Sequence, residues 1–221
     1  MFWFNKYNKT NFKAGGLLRD ERPLSAEQKL VTATQFVAPR KIDSRDMCLR
    51  SDNQGNNPYC AAYATAGYVE FFNWKVKHYP EQVDAEAIYK EAKRIDGNNN
   101  PGTYLRSAAR AAINLKLATG SIKHIDTTEM DVKFAIHQFG VVVLGLNITD
   151  EWNSVDKNGK IADFGDKART IGGHAILGTG YSDEGIYIQN SWSENWGTYG
   201  FAILSWKQFG IQLMDAMVIV P

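Results

Sequence analysis

Apolar residues occupy nearly every position of 61–69 and continue through Phe71, Phe72 and Trp74. A helix that is apolar on every face is buried inside a larger body. Asn57 followed by Pro58 predicts its start: asparagine caps orphan N–H groups and proline suits the first helical position. Pro80 predicts an end before that residue. Cys60 then falls in the first turn. Three more helices are predicted. One runs from about Asp84 to Arg94 and stops near Gly97, and one runs from after Asn100-Pro101 to about Leu117. The third opens on the capping pattern Thr128-Glu129-Met130-Asp131 and closes at Gly140. Beyond Gly140 the pattern is that of strands, at Val141–Ile148, Ala175–Tyr181, Ile186–Asn190, Phe201–Trp206 and Ala216–Val220. Helices first and strands second predict an α+β fold of two lobes, with a cleft between them. The helical lobe is placed at about 41–140 and the β-rich lobe at about 141–221. Residues 1–40 read as an extension, aromatic and basic at first (Trp3, Phe4, Lys6, Tyr7, Lys9, Phe12, Lys13), with a short helix near Ala26–Phe36.

Composition narrows the classes. A chain of 221 residues suits one large domain or two lobes sharing a core. A net charge of +1 gives no electrostatic case for nucleic acid or an anionic membrane surface. No apolar run approaches the roughly 20 residues of a membrane span. Residues 1–6 lack the layout of a secretory signal. Cys48 and Cys60 are the two cysteines and build no disulfide framework, which predicts a reducing, cytoplasmic setting. Cys48 reads as a small buried residue. The histidines and cysteines show no paired metal-ligand spacing, so neither metal nor cofactor is expected.

The chemistry gathers around Cys60. A helix N-terminus favours a thiolate, so a lowered thiol pKa is predicted there. His174 follows Gly172-Gly173 and opens one strand, while Asn190 closes the next. Across a hairpin those two ends lie at the same open end. An amide oxygen accepting from one ring N–H would leave the other nitrogen facing the thiol. Gln54 stands six residues before Cys60, and its side-chain amide and the Cys60 N–H would hold a developing oxyanion. Trp192 and Trp196 would cover the Asn190–His174 bond; ordinary core packing explains them equally well. His78 and His137 sit late in helices, and His124 lies in a polar connector.

These segments resemble the papain-like cysteine peptidases. The matching residues are Asn53-Gln54-Gly55 with Cys60, Gly173-His174-Ala175, and Asn190-Ser191-Trp192 with Trp196-Gly197. Glu70, Gly180-Tyr181 and a start at Lys41-Ile42-Asp43-Ser44-Arg45 also fit. The resemblance covers roughly 41–221. It implies a helical lobe against a barrel-like β lobe, Cys60 as nucleophile, His174 as base and acid, and Asn190 as its orienter. Gln54 and Cys60 would form the oxyanion hole. Gly102, Thr103, Gly173 and Ala175 fall at substrate-binding positions, and the uncharged Gly173 implies an apolar preference in the pocket it borders. The implied partner is a polypeptide substrate. Ala61 and Tyr59 depart from the pattern, Tyr59 as a screen of the thiol and Thr103 as a disturbance of backbone pairing with a peptide. The separations from Cys60 to His174 and Asn190, 114 and 130 residues, are at or below the low end of the family range. Residues 1–40 are shorter than the family's inhibitory prosegment and do not match it. The favoured reading of Gly15–Pro23 is a surface extension; the competing one lays it in the cleft. Peptide-bond hydrolysis is the leading function. Acyl transfer or deamidation by the same residues, or a catalytically silent binding module, are the alternatives.

Overall fold

The computed structural model of the chain describes residues 14–33, 35–165 and 168–221. The aromatic and basic residues of 1–13 lie outside them.

The buried helix is α1, Cys60–Lys77. It begins two residues later than the sequence pattern suggests. Tyr59 holds the capping position without a side-chain cap, so Pro58 precedes the helix and Cys60 is its first residue. His78 ends it in the left-handed region, at φ 53°. α2 (Ala85–Asp96) is capped by Asp84, which accepts from the Ala87 N–H at 2.9 Å. α3 spans Leu105–Asn114, shorter at both ends than expected. The loop ahead of α3 is tied down by the Lys93 ammonium, which donates to Asn98 Oδ1, Asn100 O and Gly102 O. α1 packs against both α2 and α3.

The described strands form one sheet. β1 (Lys29–Leu30), β3 (Ser121–Ile125), β8 (Leu213–Val220), β4 (Val142–Thr149), β5 (Thr170–Ser182), β6 (Gly185–Gln189) and β7 (Phe201–Ser205) lie in that order, and β2 (Ile42–Asp43) pairs with β5. Only the β1–β3 pairing is parallel. α4 (Glu129–Phe139), capped by Thr128, packs on the sheet and on α5 (Trp206–Gln212). α1 and the sheet share one core. Tyr68 fastens them: its hydroxyl donates to Ile219 O at 2.9 Å and accepts from the Ile219 N–H at 3.1 Å.

Three expectations need correction. β3 and α5 were not anticipated, and His124 stands in β3, not in a connector; its Nδ1 lies 3.3 Å from Asp215 Oδ1. The described residues of 26–36 do not form the expected helix. A single helical turn at Ala26–Gln28 leads directly into β1, because the backbone pairs with β3 instead of with itself. Nor do the described residues of the expected extension, within 14–40, stand off on the surface. They run from the cleft over β3, set Phe36 edge-on against Phe134 of α4 (5.1 Å between centroids), and enter β2.

Candidate active site

The start of α1 and the middle of β5 meet at the cleft. Cys60 and His174 are both fully buried. The backbone N–H groups of Ala175, the residue after His174, and of Gly16, from the N-terminal strap at 15–18, favour an anion on the Cys60 sulfur. β5 carries His174 opposite Leu146 and Ala175 opposite Gly145 of β4. β6 ends at Gln189, opposite Leu177, so Asn190 arrives at the same end of the hairpin as His174. His174 Nε2 lies 2.7 Å from Asn190 Oδ1. An amide oxygen only accepts, so Nε2 carries the hydrogen and Nδ1 is left as the basic nitrogen. Nδ1 has no hydrogen-bond partner among the described residues.

Gln54 is brought to the same place. Its N–H donates to Ser191 O at 2.9 Å, and Asn53 bridges Trp192. Its side-chain nitrogen donates to Asn57 O at 2.8 Å, and its side-chain oxygen accepts from Ser191 Oγ at 2.7 Å. Trp192 lies over the His174 ring, 4.8 Å between centroids and tilted 34°. Trp196 reaches His174 only through neighbours, edge-on to Trp192 and stacked on Trp152. Trp152, which the sequence pattern did not single out, presents its edge to His174 at 6.2 Å. A tryptophan just past the end of β4 was the only available signal. Tyr59 stacks on Tyr89 of α2 at 3.9 Å.

The thiol is screened by residues 15–18 instead. The Gly15 N–H donates to Gly173 O at 2.8 Å and the Leu17 N–H to the same oxygen at 3.3 Å. On the opposite wall the Thr103 N–H donates to Gly16 O at 3.0 Å, and the Leu18 N–H donates to Thr103 O at 3.1 Å. Thr103 therefore pairs with the chain's own extended segment; its hydroxyl turns back to Asp96 at 2.7 Å. Three glycines make the approach close enough. A Cβ at Gly102 (φ 84°) would stand 2.3 Å from Gly16 O, one at Gly173 2.5 Å from Leu17 O, and one at Gly16 2.7 Å from the Pro58 backbone. The Leu17 side chain fills an apolar recess, since a Cβ at Gly145 would lie 2.7 Å from Leu17 Cδ2 and 3.3 Å from Leu105 Cδ1. Asp20 then clasps the strap to α3. Its buried carboxylate accepts two hydrogen bonds from Arg106, both at 2.9 Å, and two from Arg22, at 2.7 and 2.6 Å. Burial alone would raise the Asp20 pKa, but the two guanidiniums hold it well below the usual carboxylate range.

The cover reverses the expected thiol pKa. Burial pushes Cys60 up to about 11, against the lowering by its backbone N–H donors, and pushes His174 down to about 4. Beneath the strap the pair is neutral thiol and neutral imidazole at pH 7. The helix terminus favours a thiolate only where water or a cation also reaches the sulfur.

No family model matches the chain. It is 25% identical over 202 residues to cysteine proteinase 3 of Entamoeba histolytica, a match covering 79% of this chain and 65% of that relative's length. Among solved structures, xylellain, a cysteine protease from Xylella fastidiosa, superposes with a TM-score of 0.76 at 18% identity, over 94% of this chain and 96% of its own. A procathepsin B of Trypanosoma congolense (TM-score 0.70, 12% identity) covers 94% of this chain and 86% of its own. Digestive procathepsin L 3 of Tenebrio molitor (0.68, 14%) covers 89% and 75%. The chain has the papain-like cysteine protease fold.

Proposed function

We propose that the protein is a cysteine peptidase acting through an acyl-enzyme, and that residues 15–18 hold it in check. The observation that carries the reading is the 2.7 Å contact of His174 Nε2 with Asn190 Oδ1 beside a thiol at the start of α1. It supports Asn190 as orienter and His174 Nδ1 as base. In the reaction Cys60 Sγ bonds to the substrate carbonyl carbon as its proton passes to His174. The carbonyl π electrons move onto oxygen, held by the Cys60 N–H and the Gln54 amide. Collapse breaks the C–N bond, and His174 hands its proton to the leaving amine. Water, deprotonated by His174, then attacks the thioester; the C–S bond breaks and the proton returns to sulfur.

The strap has the position of a peptide but the wrong group at the nucleophile. Gly16 offers the sulfur an N–H, not a carbonyl carbon. Leu17 runs parallel to Thr103 with its side chain in the recess beside Leu105 and Gly145. Its seat there supports a preference for Leu-sized apolar substrate side chains once the strap leaves.

The test is labelling of the full chain by a leucine-containing peptidyl epoxide near pH 6.5, with adducts mapped by mass spectrometry. Leu17→Asp places a charge in the apolar recess and is expected to release the strap. Slow labelling of the native chain is expected, with fast labelling of Cys60 alone in Leu17→Asp and its loss on adding His174→Ala. Equal labelling of Cys48 and Cys60 in every variant sinks the peptidase reading. Fast labelling of the native chain sinks only the restraint.

A further inference from the structure

We infer that Lys93 is a positioning residue for the substrate wall at Gly102 and Thr103, a tethered cation around which that wall is folded; the inference rests on the peptidase reading above. Tyr89, Lys93 and Asp96 stand at i, i+4 and i+7 along α2, so they share one helix face. That face grips the wall. The Gly102 N–H donates to Tyr89 Oη at 3.2 Å, the Lys93 ammonium donates to Gly102 O at 3.1 Å, and Thr103 Oγ1 donates to Asp96 Oδ2 at 2.7 Å. No cross-link shares the task, because Cys48 and Cys60 are both free thiols.

Lys93 is the centre of this arrangement. Each ammonium hydrogen has its own oxygen, Asn98 Oδ1 at 3.0 Å, Asn100 O at 2.7 Å and Gly102 O at 3.1 Å. The carboxylate of Asp96, its side chain fully buried, lies 3.6 Å away and balances the charge. Asn98 Oδ1 also accepts the Asn100 N–H at 3.0 Å, which draws the loop around the cation. Bonds from an ammonium are stronger than neutral ones, and oxygens gathered about a cation repel one another once it is gone. Residues 97–102 therefore keep this shape only while the ammonium is in place. The Thr103 N–H and carbonyl, which pair with Gly16 and Leu18 beneath the strap, follow that loop directly. They are the main-chain groups an extended substrate would use, and main-chain pairing contributes affinity only where the edge is already held in position. The expected signature of losing Lys93 is weaker peptide binding with the chemistry at Cys60 intact.

In the full-length Leu17→Asp chain, Lys93→Ala is expected to raise KM for a leucine-containing peptide roughly tenfold and to change kcat by less than about threefold, as for binding lost equally from ground and transition states. Alkylation of Cys60 by iodoacetamide does not use the wall, so its rate is expected to stay within about twofold. Ammonium chloride is expected to recover most of the lost KM in Lys93→Ala, because the small ion can occupy the vacated oxygens. Tetramethylammonium chloride at equal ionic strength has no N–H to donate and is expected to recover none. Lys93→Met fills the same space without charge and is expected to show the KM loss with no rescue. A fall in kcat at unchanged KM, equal rescue by both salts, or rescue of Lys93→Met overturns the proposal.

A second readout does not need turnover. With the strap in place in an otherwise native chain, Lys93→Ala is expected to speed amide hydrogen exchange over residues 98–103 at least about tenfold, and ammonium is expected to slow it again. Lys93→Met combined with Asp96→Asn leaves no unpaired buried carboxylate, so it keeps the test open if Lys93→Ala does not fold. The same acceleration is expected there, without a response to ammonium. If exchange rises in these variants while no variant hydrolyses peptides, the peptidase reading fails and the positioning stands. If exchange over 98–103 is unchanged in them, the positioning fails whatever the kinetics.

Discussion

The N–H groups of Ala175 and Gly16 both favour a thiolate at Cys60, and they have different meanings for reactivity. Ala175 belongs to β5, a strand paired with β4, and not to the cover. Gly16 arrives with the strap, and with it comes the burial that keeps the thiol protonated. The close fit at Gly16 makes this testable by one methyl group. A Cβ there would lie 2.7 Å from both C and O of Pro58. These are backbone atoms that no rotamer change can move, so Gly16→Ala has to lift the strap. Overpacking of this kind costs about 1–3 kcal/mol, which here falls on the covered state alone. Cys60 labelling in Gly16→Ala is therefore expected to accelerate about tenfold or more relative to the native chain. Gly15→Ala is not an equivalent control, because Gly15 has φ 99° and strains any side chain. Unchanged labelling of Gly16→Ala would mean the strap does not sit against Pro58.

Between elements, the strap depends on α3. Leu17 and the Asp20 clasp bound a cavity of about 230 Å³ that also meets Arg106, His124 and Asp215. Leu17, Leu18, Arg19 and Asp20 themselves line it, so the strap forms one wall of this cavity. Asp20→Ala removes the anion shared by Arg106 and Arg22 and leaves Arg106 with no carboxylate in that clasp. Breaking a buried ion pair costs about 3 kcal/mol or more, or about a hundredfold in the ratio of covered to uncovered chain. Cys60 labelling is expected to rise on that scale, with the α3 helix signal retained in circular dichroism. No acceleration would mean that the pairing with Thr103 and Gly173 alone seats the strap. Much of this element-level arrangement was hidden in the sequence for a definite reason. α2 and α4 announce themselves through their caps, α1 through its unbroken apolar run, and Gln54, Cys60, His174 and Asn190 through motifs at the ends of such elements. β3 carries Lys123 and His124 among its five residues, so it shows little apolar alternation; it is a strand because β8 and β1 flank it. Residues 14–22 have no periodicity at all. Their conformation is imposed by Gly102, Gly172 and Gly173 across the cleft, a complementarity of glycines that no local window contains. Trp152 acts on the site through partners far away in sequence, and nothing adjacent to it marks that.

For the whole molecule, two buried groups pull stability in opposite directions with pH. Burial holds the His174 pKa at about 4, below its usual 6.5. An unfolded or uncovered chain therefore binds the proton first, and stability falls as pH drops from about 6.5 to about 4. Burial raises Glu70 to about 7 from 4.5, although the Val83 N–H donates to it at 2.8 Å. The folded chain keeps that proton longer, so this contribution is complete below pH 4.5 and is lost as pH rises to about 7. Each group contributes a slope of roughly 1.4 kcal/mol per pH unit in its window. Between about pH 4.5 and 6.5 the slopes oppose each other and the native chain is expected to melt at a nearly constant temperature. Glu70→Gln keeps an oxygen for the Val83 N–H and removes the titration. The His174 slope is then left unopposed, so the variant is expected to gain about 3 kcal/mol of stability from pH 4.5 to 6.5. For a chain of this size that is about 6 °C or more in Tm. Calorimetry of both proteins across that range gives the answer. Parallel melting curves would show that Glu70 is ionised in the folded chain, and that the core between α1 and the loop before α2 tolerates its charge.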